Sequence, residues 1–253
     1  LSSTARVSNP STDLTIVSDD RLLLTGRDFL WGTSRNERVL GSSGNDYAYA
    51  QGGNDLIEMG LGNDTVDAGS GNDVVNVVAV QNNGQVDVVD AGEGTDTLNL
   101  DYSQEKGSYA DARQLLFRAY ANESSYSKLY QHSSLVEIRT ALSTAVKTMF
   151  DGELTDVTAS NFEMINLKGS GTDDLLIYQL GGSYDGQGGT DTFYADWRDK
   201  AAAVNWTNTG AAYTYEGVTV SGVERLLLQT GGGNDVIVNT ALYTSDDVRT
   251  GAA

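Results

Sequence analysis

Residues 41–76 read GSSGNDYAY, AQGGNDLIE, MGLGNDTVD, AGSGNDVVN, four consecutive blocks of nine. Gly44, Gly53, Gly62 and Gly71 recur at this interval, as do Asn45, Asn54, Asn63 and Asn72, and Asp46, Asp55, Asp64 and Asp73. Each block divides into a six-residue glycine-rich turn ending on aspartate and a three-residue segment with an apolar middle residue, Ala48, Ile57, Val66 or Val75. A turn so tight needs positive φ at several positions, which glycine and asparagine adopt at little cost. Three residues suffice for one short strand that turns a single side chain inward. Two blocks then make one flattened coil, strand out and strand back, and coils stack at about 4.8 Å. Asp46 falls beside Asp64, and Asp55 beside Asp73.

That alignment is unfavourable on its own. Stacked carboxylates repel by roughly 1–4 kcal/mol per pair at about 4 Å, and an interior one or two apolar side chains wide per block offsets little of it. A hard divalent cation between successive turns reverses the sign, because it takes oxygen ligands from carboxylates and from the carbonyls that a glycine-rich turn points inward.

The blocks resemble the nonapeptide repeats of RTX proteins, G-G-x-G-x-D-x-U-x with U a large apolar residue, which form calcium-loaded parallel β-rolls. The resemblance implies an all-β fold, a parallel β-roll or β-solenoid, with several calcium ions in its turns. In that family one turn gives two backbone carbonyls and its Asp, and the turn one coil later gives the same set. Carried onto this chain, a first site uses Ser42, Gly44 and Asp46 with Met59, Leu61 and Asp64. A second uses Gln51, Gly53 and Asp55 with Ala68, Ser70 and Asp73. The leading glycine pair is imperfect, since Ala50, Met59 and Ala68 stand where its first member belongs.

After Asn76, the five residues Val77 to Gln81 break the period, and NNGQVDVVD and AGEGTDTLN restore it. If the roll tolerates this insertion as a bulge, Gly60, Gly62 and Asp64 pair with Asn82, Gly84 and Asp87. Likewise Gly69, Gly71 and Asp73 pair with Ala91, Glu93 and Asp96.

An internal duplication follows: GTDTLNLDYS at 94–103 resembles GTDTFYADWR at 189–198, and VTASNFEMINL at 157–167 resembles VTVSGVERLLL at 218–228. Between the first two lie DARQLLFRAY and SSLVEIRTALSTAVKTMF, whose apolar residues recur at helical spacing. The expected organisation is therefore N-terminal strands at 1–40, a first roll at 41–101, a small helical insertion at 102–156 and a second roll-like segment at 157–253. Candidate ligands in the second segment are Asp191 and Asp235, together with Asp173 or Asp174, between which the register is ambiguous. Glu37, Glu163 and Glu224 each open a similar strand; a repeated solvent-facing position is the ordinary reading and a calcium ligand the alternative. Trp31, Trp197 and Trp206 read as aromatic packing at strand ends, against a sugar-stacking face.

Composition narrows the function. With 35 acidic and 16 basic residues the formal net charge is −19, which argues against nucleic acid or anionic lipid as a direct partner. There is no cysteine, and the single histidine, His132, excludes a zinc site of several histidines. No H-E-x-x-H, G-x-S-x-G, Walker or EF-hand pattern is present, so no catalytic residue is expected. No apolar run reaches the roughly 20 residues of a membrane span. The chain reads as an excerpt or processed piece of a longer polypeptide. The resemblance implies a calcium-dependent structural or adhesive module of an extracellular bacterial protein, exported by a type I pathway, in an adhesin, surface-layer or filament setting. Its expected partners are calcium and, through exposed coil ends, neighbouring modules or copies of itself. The alternatives are the export and folding appendage of a secreted hydrolase and a carbohydrate-binding module.

Overall fold

The computed structural model describes residues 5–7, 14–15, 21–24, 29–41, 43–78, 87–103, 157–171, 174–178, 180–241 and 246–250. Every regular element among them is a β-strand. The helical insertion expected within 102–156 lies outside the described residues, apart from Tyr102 and Ser103. The chain divides into two units, one of Leu1–Asp101 with Thr148–Asn166 and one of Tyr102–Lys147 with Leu167–Ala253.

In chain order, the first unit is built from β1 (Ala5–Val7), β2 (Leu14–Thr15), β3 (Arg21–Leu24), β4 (Phe29–Trp31), β5 (Arg38–Leu40), β6 (Tyr47–Tyr49), β7 (Leu56–Glu58), β8 (Thr65–Asp67), β9 (Val74–Val78), β10 (Asp87–Asp90), β11 (Thr97–Asp101), β12 (Val157–Ser160) and the first three residues of β13 (Met164–Lys168). The odd-numbered strands run side by side in the order β1-β3-β5-β7-β9-β11-β13, and the even-numbered ones in the order β12-β10-β8-β6-β4-β2. Each block thus crosses once and the next block crosses back, which is the all-β parallel roll expected from the repeats. The register is two blocks: Ile57 pairs with Val75 and Ala48 with Val66. Past Asn76 the offset widens, with Val66 opposite Val89 and Val75 opposite Leu98. That is 23 residues instead of 18, and the difference is the five-residue interruption. The alternation of sheets then survives the long excursion between β11 and β12.

Two side chains per block face inward rather than one. Ala48 and Ala50, Ile57 and Met59, and Val66 and Ala68 are all buried. Ala50, Met59 and Ala68 looked like defects in a glycine pair; they are the second row of the core, reached by the period-2 alternation of a strand. Glycine itself is fixed three residues further into the turn. Gly62 and Gly71 have φ of 141° and 138°, and a Cβ on either would lie 1.7 or 1.8 Å from the carbonyl oxygen of Gly44 or Gly53, one coil earlier. Outside the roll a polar ladder follows the stack. The Asn166 side-chain amide donates to Asn99 (2.8 Å), Asn99 to Asn76 (2.6 Å), Asn76 to Glu58 (3.5 Å), and Glu58 pairs with Arg38 at 3.3 Å.

The second unit contains β14 (Leu175–Ile177), β15 (Gly181–Asp185), β16 (Thr192–Trp197), β17 (Asn205–Asn208), β18 (Tyr213–Tyr215), β19 (Val218–Ser221), β20 (Arg225–Thr230), β21 (Val236–Asn239) and β22 (Asp247–Arg249). Strands β14-β16-β20-β22 form one parallel sheet and β17-β21 another, while β15 pairs β19 in parallel and β18 returns antiparallel to β19. Its core is aromatic: Trp197, Trp206, Tyr184 and Phe193 are fully buried, with the Phe193 ring centroid 5.9 Å from Trp197 and 6.2 Å from Trp206. Packing is therefore the role of these two tryptophans. Trp31 differs, being 40% exposed and edge-on to Tyr49.

Candidate metal centre

The Asn-Asp dipeptides staple neighbouring coils in both directions. The amide N–H of Asp46 donates to Oδ1 of Asp64 (2.8 Å), and that of Asp64 to Oδ1 of Asp87 (2.9 Å). On the other edge of the roll Glu37 donates to Asp55, Asp55 to Asp73 and Asp73 to Asp96, each at 2.7 Å. The series ends where the amide of Asp96 donates to Oε2 of Glu163 at 2.8 Å. Asparagine runs the opposite way: the amides of Asn54, Asn63, Asn72 and Thr95 donate backward to the side-chain oxygens of Asn36, Asn45, Asn54 and Asn72. The turn amides that no strand can reach are satisfied in this way, as a buried backbone requires.

One oxygen of each carboxylate is spent on this ladder. The other, Oδ2, is buried and has no hydrogen-bond partner among the described residues in Asp55, Asp64, Asp73 and Asp96, all at most 2% exposed. Burial pushes Asp55 and Asp64 up to about 7 and Asp73 up to about 6, against the lowering effect of the donated amide; the charges of neighbouring rungs raise them further. Asp96 is raised for the same reason, with Glu163 as the neighbouring charge. A buried, orphaned carboxylate oxygen costs several kcal/mol unless a proton or cation meets it. The donor set is all oxygen, which suits a hard cation such as calcium and neither zinc nor copper. Among the described residues no three His, Cys, Asp or Glu side chains converge. A cation held here would have a carboxylate pair and backbone carbonyls to draw on.

The structure brings together the described members of each expected ligand set. Gly44 donates to the carbonyl of Leu61 (2.8 Å), in the coil where Met59 and Asp64 stand opposite Gly41 and Asp46. Gly53 donates to the carbonyl of Ser70 and Ser70 to that of Gln51, beside the Asp55–Asp73 rung and Ala68. Glu93 donates to the carbonyl of Gly69 and Gly71 to that of Glu93, beside Asp96 and Ala91. Gly60 and Gly62 precede Asp64, which meets Asp87 across the five-residue interruption. Ser42, Asn82, Gly84 and Asp173 lie outside the described residues. Asp174 is fully buried and its amide donates to Oδ1 of Asp191 (2.6 Å), so the second unit carries a ladder of its own. Asp235 stands apart: its Oδ1 accepts the amide of Val204 and its Oδ2 the hydroxyl of Thr230.

Repeats of this geometry have a counterpart among known families. The model of the RTX calcium-binding nonapeptide repeat matches residues 31–66 and 40–75, with four copies. Residues 31–75 are RTX calcium-binding repeats. RTX repeats are structural calcium-binding elements rather than catalytic ones, and they occur in secreted bacterial proteins. No curated protein matches the chain. Among the described residues no helix is long and apolar enough to cross a membrane.

The RTX match begins at residue 31, ten residues before the first Gly-Asn-Asp block at Gly41. Gly32 to Leu40 is a block in register, with Asn36-Glu37 in place of Asn-Asp. Glu37 is 3% exposed and its carboxylate accepts the hydroxyl of Thr33, which corrects the reading of this position as solvent-facing. Glu163 is exposed, as expected of a solvent-facing position, and Glu224 is half-buried; each also accepts the amide of the preceding ladder aspartate. The signal was in the sequence: Glu37 lies nine residues before Asp46 and follows an asparagine.

Proposed function

We propose that this chain is a calcium-folded structural module of an extracellular bacterial protein, in which ions held between successive turns lock the coils into a roll. The observation that carries the reading is the row of buried Oδ2 atoms on Asp55, Asp64, Asp73 and Asp96, which have no hydrogen-bond partner among the described residues. The residues that would hold the ions are those of the four sets above, each with two carboxylates and turn carbonyls; Asp174 and Asp191 form the matching pair in the second unit. Bound calcium supplies charge neutralisation and no reaction chemistry. The module serves adhesion or surface assembly, a reading supported by β21, whose Val236 and Val238 are 57% and 45% exposed at the edge of a two-stranded sheet. Such an edge offers backbone donors and acceptors to a neighbouring strand.

Equilibrium dialysis of the chain against buffered calcium, with ion counting on the bound fraction, tests this. Several ions per chain are expected, with magnesium displacing few of them; a chain that binds none contradicts it.

A further inference from the structure

The ladder through Asp55, Asp73 and Asp96 and the ladder through Asp174 and Asp191 both finish on glutamate, and both finish where the chain returns from an excursion longer than a repeat. Asp96 and Glu163 are 67 residues apart, and Asp191 and Glu224 are 33 apart, against 18 for an ordinary rung. The two ends share one local geometry. Glu163 presents Oε2 to the amide of Asp96 at 2.8 Å, and Glu224 presents Oε2 to the amide of Asp191 at 2.7 Å. In each case the glutamate's own amide turns back to the carbonyl of that aspartate, at 3.3 and 3.0 Å, alongside the amide of the following residue. At an inner rung the corresponding amide goes forward to the next carboxylate instead. Glutamate thus occupies the rung position and closes the series.

We infer that Asp96 and Glu163 form a terminal calcium site that clamps the returning chain at β13 onto the end of the roll. The inference rests on the calcium reading above and extends it to a residue type that the nonapeptide pattern does not contain. Two observations meet here: solvent-exposed Glu163 stands where the next ladder carboxylate belongs, and the Oδ2 of fully buried Asp96 has no hydrogen-bond partner among the described residues. Hydrogen bonding alone does not ask for a charge at this position, because an asparagine or glutamine oxygen accepts an amide equally well. A carboxylate beside a buried carboxylate is unfavourable without a cation and favourable with one. Closing a 67-residue loop costs more entropy than closing one of 18, so this site fills at higher calcium than the inner ones. The roll then builds from its inner coils, and β13 docks last. The same placement of Glu224 at Asp191 repeats the arrangement in the second unit.

Glu163→Gln in the full chain separates the two roles, because it keeps the acceptor and removes the charge. Bound calcium is counted by dialysis, and amide hydrogen exchange is followed in β7, β9 and β13, with Glu58→Gln on the outer polar ladder as the control. The expected result is one ion fewer than wild type and exchange in β13 at least tenfold faster, with β7 and β9 unchanged. Glu163→Asp is expected to recover part of the loss. An unchanged ion count and unchanged β13 exchange in Glu163→Gln overturns the inference while the calcium reading stands; a wild-type chain without bound calcium overturns both.

Discussion

The backbone amide of Asp55 lies 2.7 Å from Oδ1 of Asp73, eighteen residues on, and the second oxygen of Asp73 has no hydrogen-bond partner among the described residues. One carboxylate therefore has two tasks. It caps a turn amide in the coil before it, and it contributes charge to a stack that repels itself.

Asp73→Asn separates these tasks. The variant keeps the acceptor for Asp55 and loses the charge, so its calcium affinity falls by roughly tenfold or more, as expected for a lost charged ligand. The calcium-free roll should not be weakened, because a source of repulsion is gone. Calorimetric calcium titration and chelated thermal melts check both halves; Asp73→Ala should lose calcium affinity and apo stability together.

Acid should substitute for calcium. Asp55 and Asp64 are raised from 3.8 to about 7, and Asp73 to about 6, so between those values the folded roll holds protons that the unfolded chain has released. Stability from this source is fully present below pH 3.8 and is lost as pH rises through 6 to 7. Chelated protein is expected to show more strand at pH 4 than at pH 8 by circular dichroism, roughly the range these shifts define. The calcium midpoint should move to higher calcium as pH falls. A strand signal in the chelated chain that grows with pH would refute the sign.

Gly71→Ala tests the close approach of coils. The added methyl must displace the carbonyl of Gly53 and adopt positive φ, so the calcium-loaded melting temperature should drop, by an amount equivalent to about 2–4 kcal/mol. Gly171→Ala, where a Cβ meets nothing within 4 Å, should leave it unchanged.

Tryptophan emission reports the second unit. Trp197 and Trp206 are buried and Trp31 is half in solvent, so calcium should shift the emission to the blue, and Trp31→Phe should preserve most of that shift. A shift abolished by Trp31→Phe would place the calcium response elsewhere.

The roll was legible because its repeat is short and its spacing rigid: once Gly44, Asn45 and Asp46 recur at nine, strand direction, register and the carboxylate pairs follow. The second row of the core was not, because Ala50 and Met59 occupy positions where the family pattern has glycine, and the pattern concealed their burial. Glu37 escaped for a related reason. A charged residue at a strand entry reads as exposed until the next coil is known to cover it, and that coverage is a property of the stack rather than of the local sequence. Asp235 shows the converse, a G-N-D turn whose aspartate is satisfied by Thr230 and the amide of Val204.

Circular dichroism of the chelated chain, titrated with calcium and separately with magnesium at neutral pH, tests the central claim most directly. Strand signal should be weak without calcium, should rise cooperatively as calcium is added and should stay low at equal magnesium. A chelated chain that retains full strand content and melts at an unchanged temperature would contradict it.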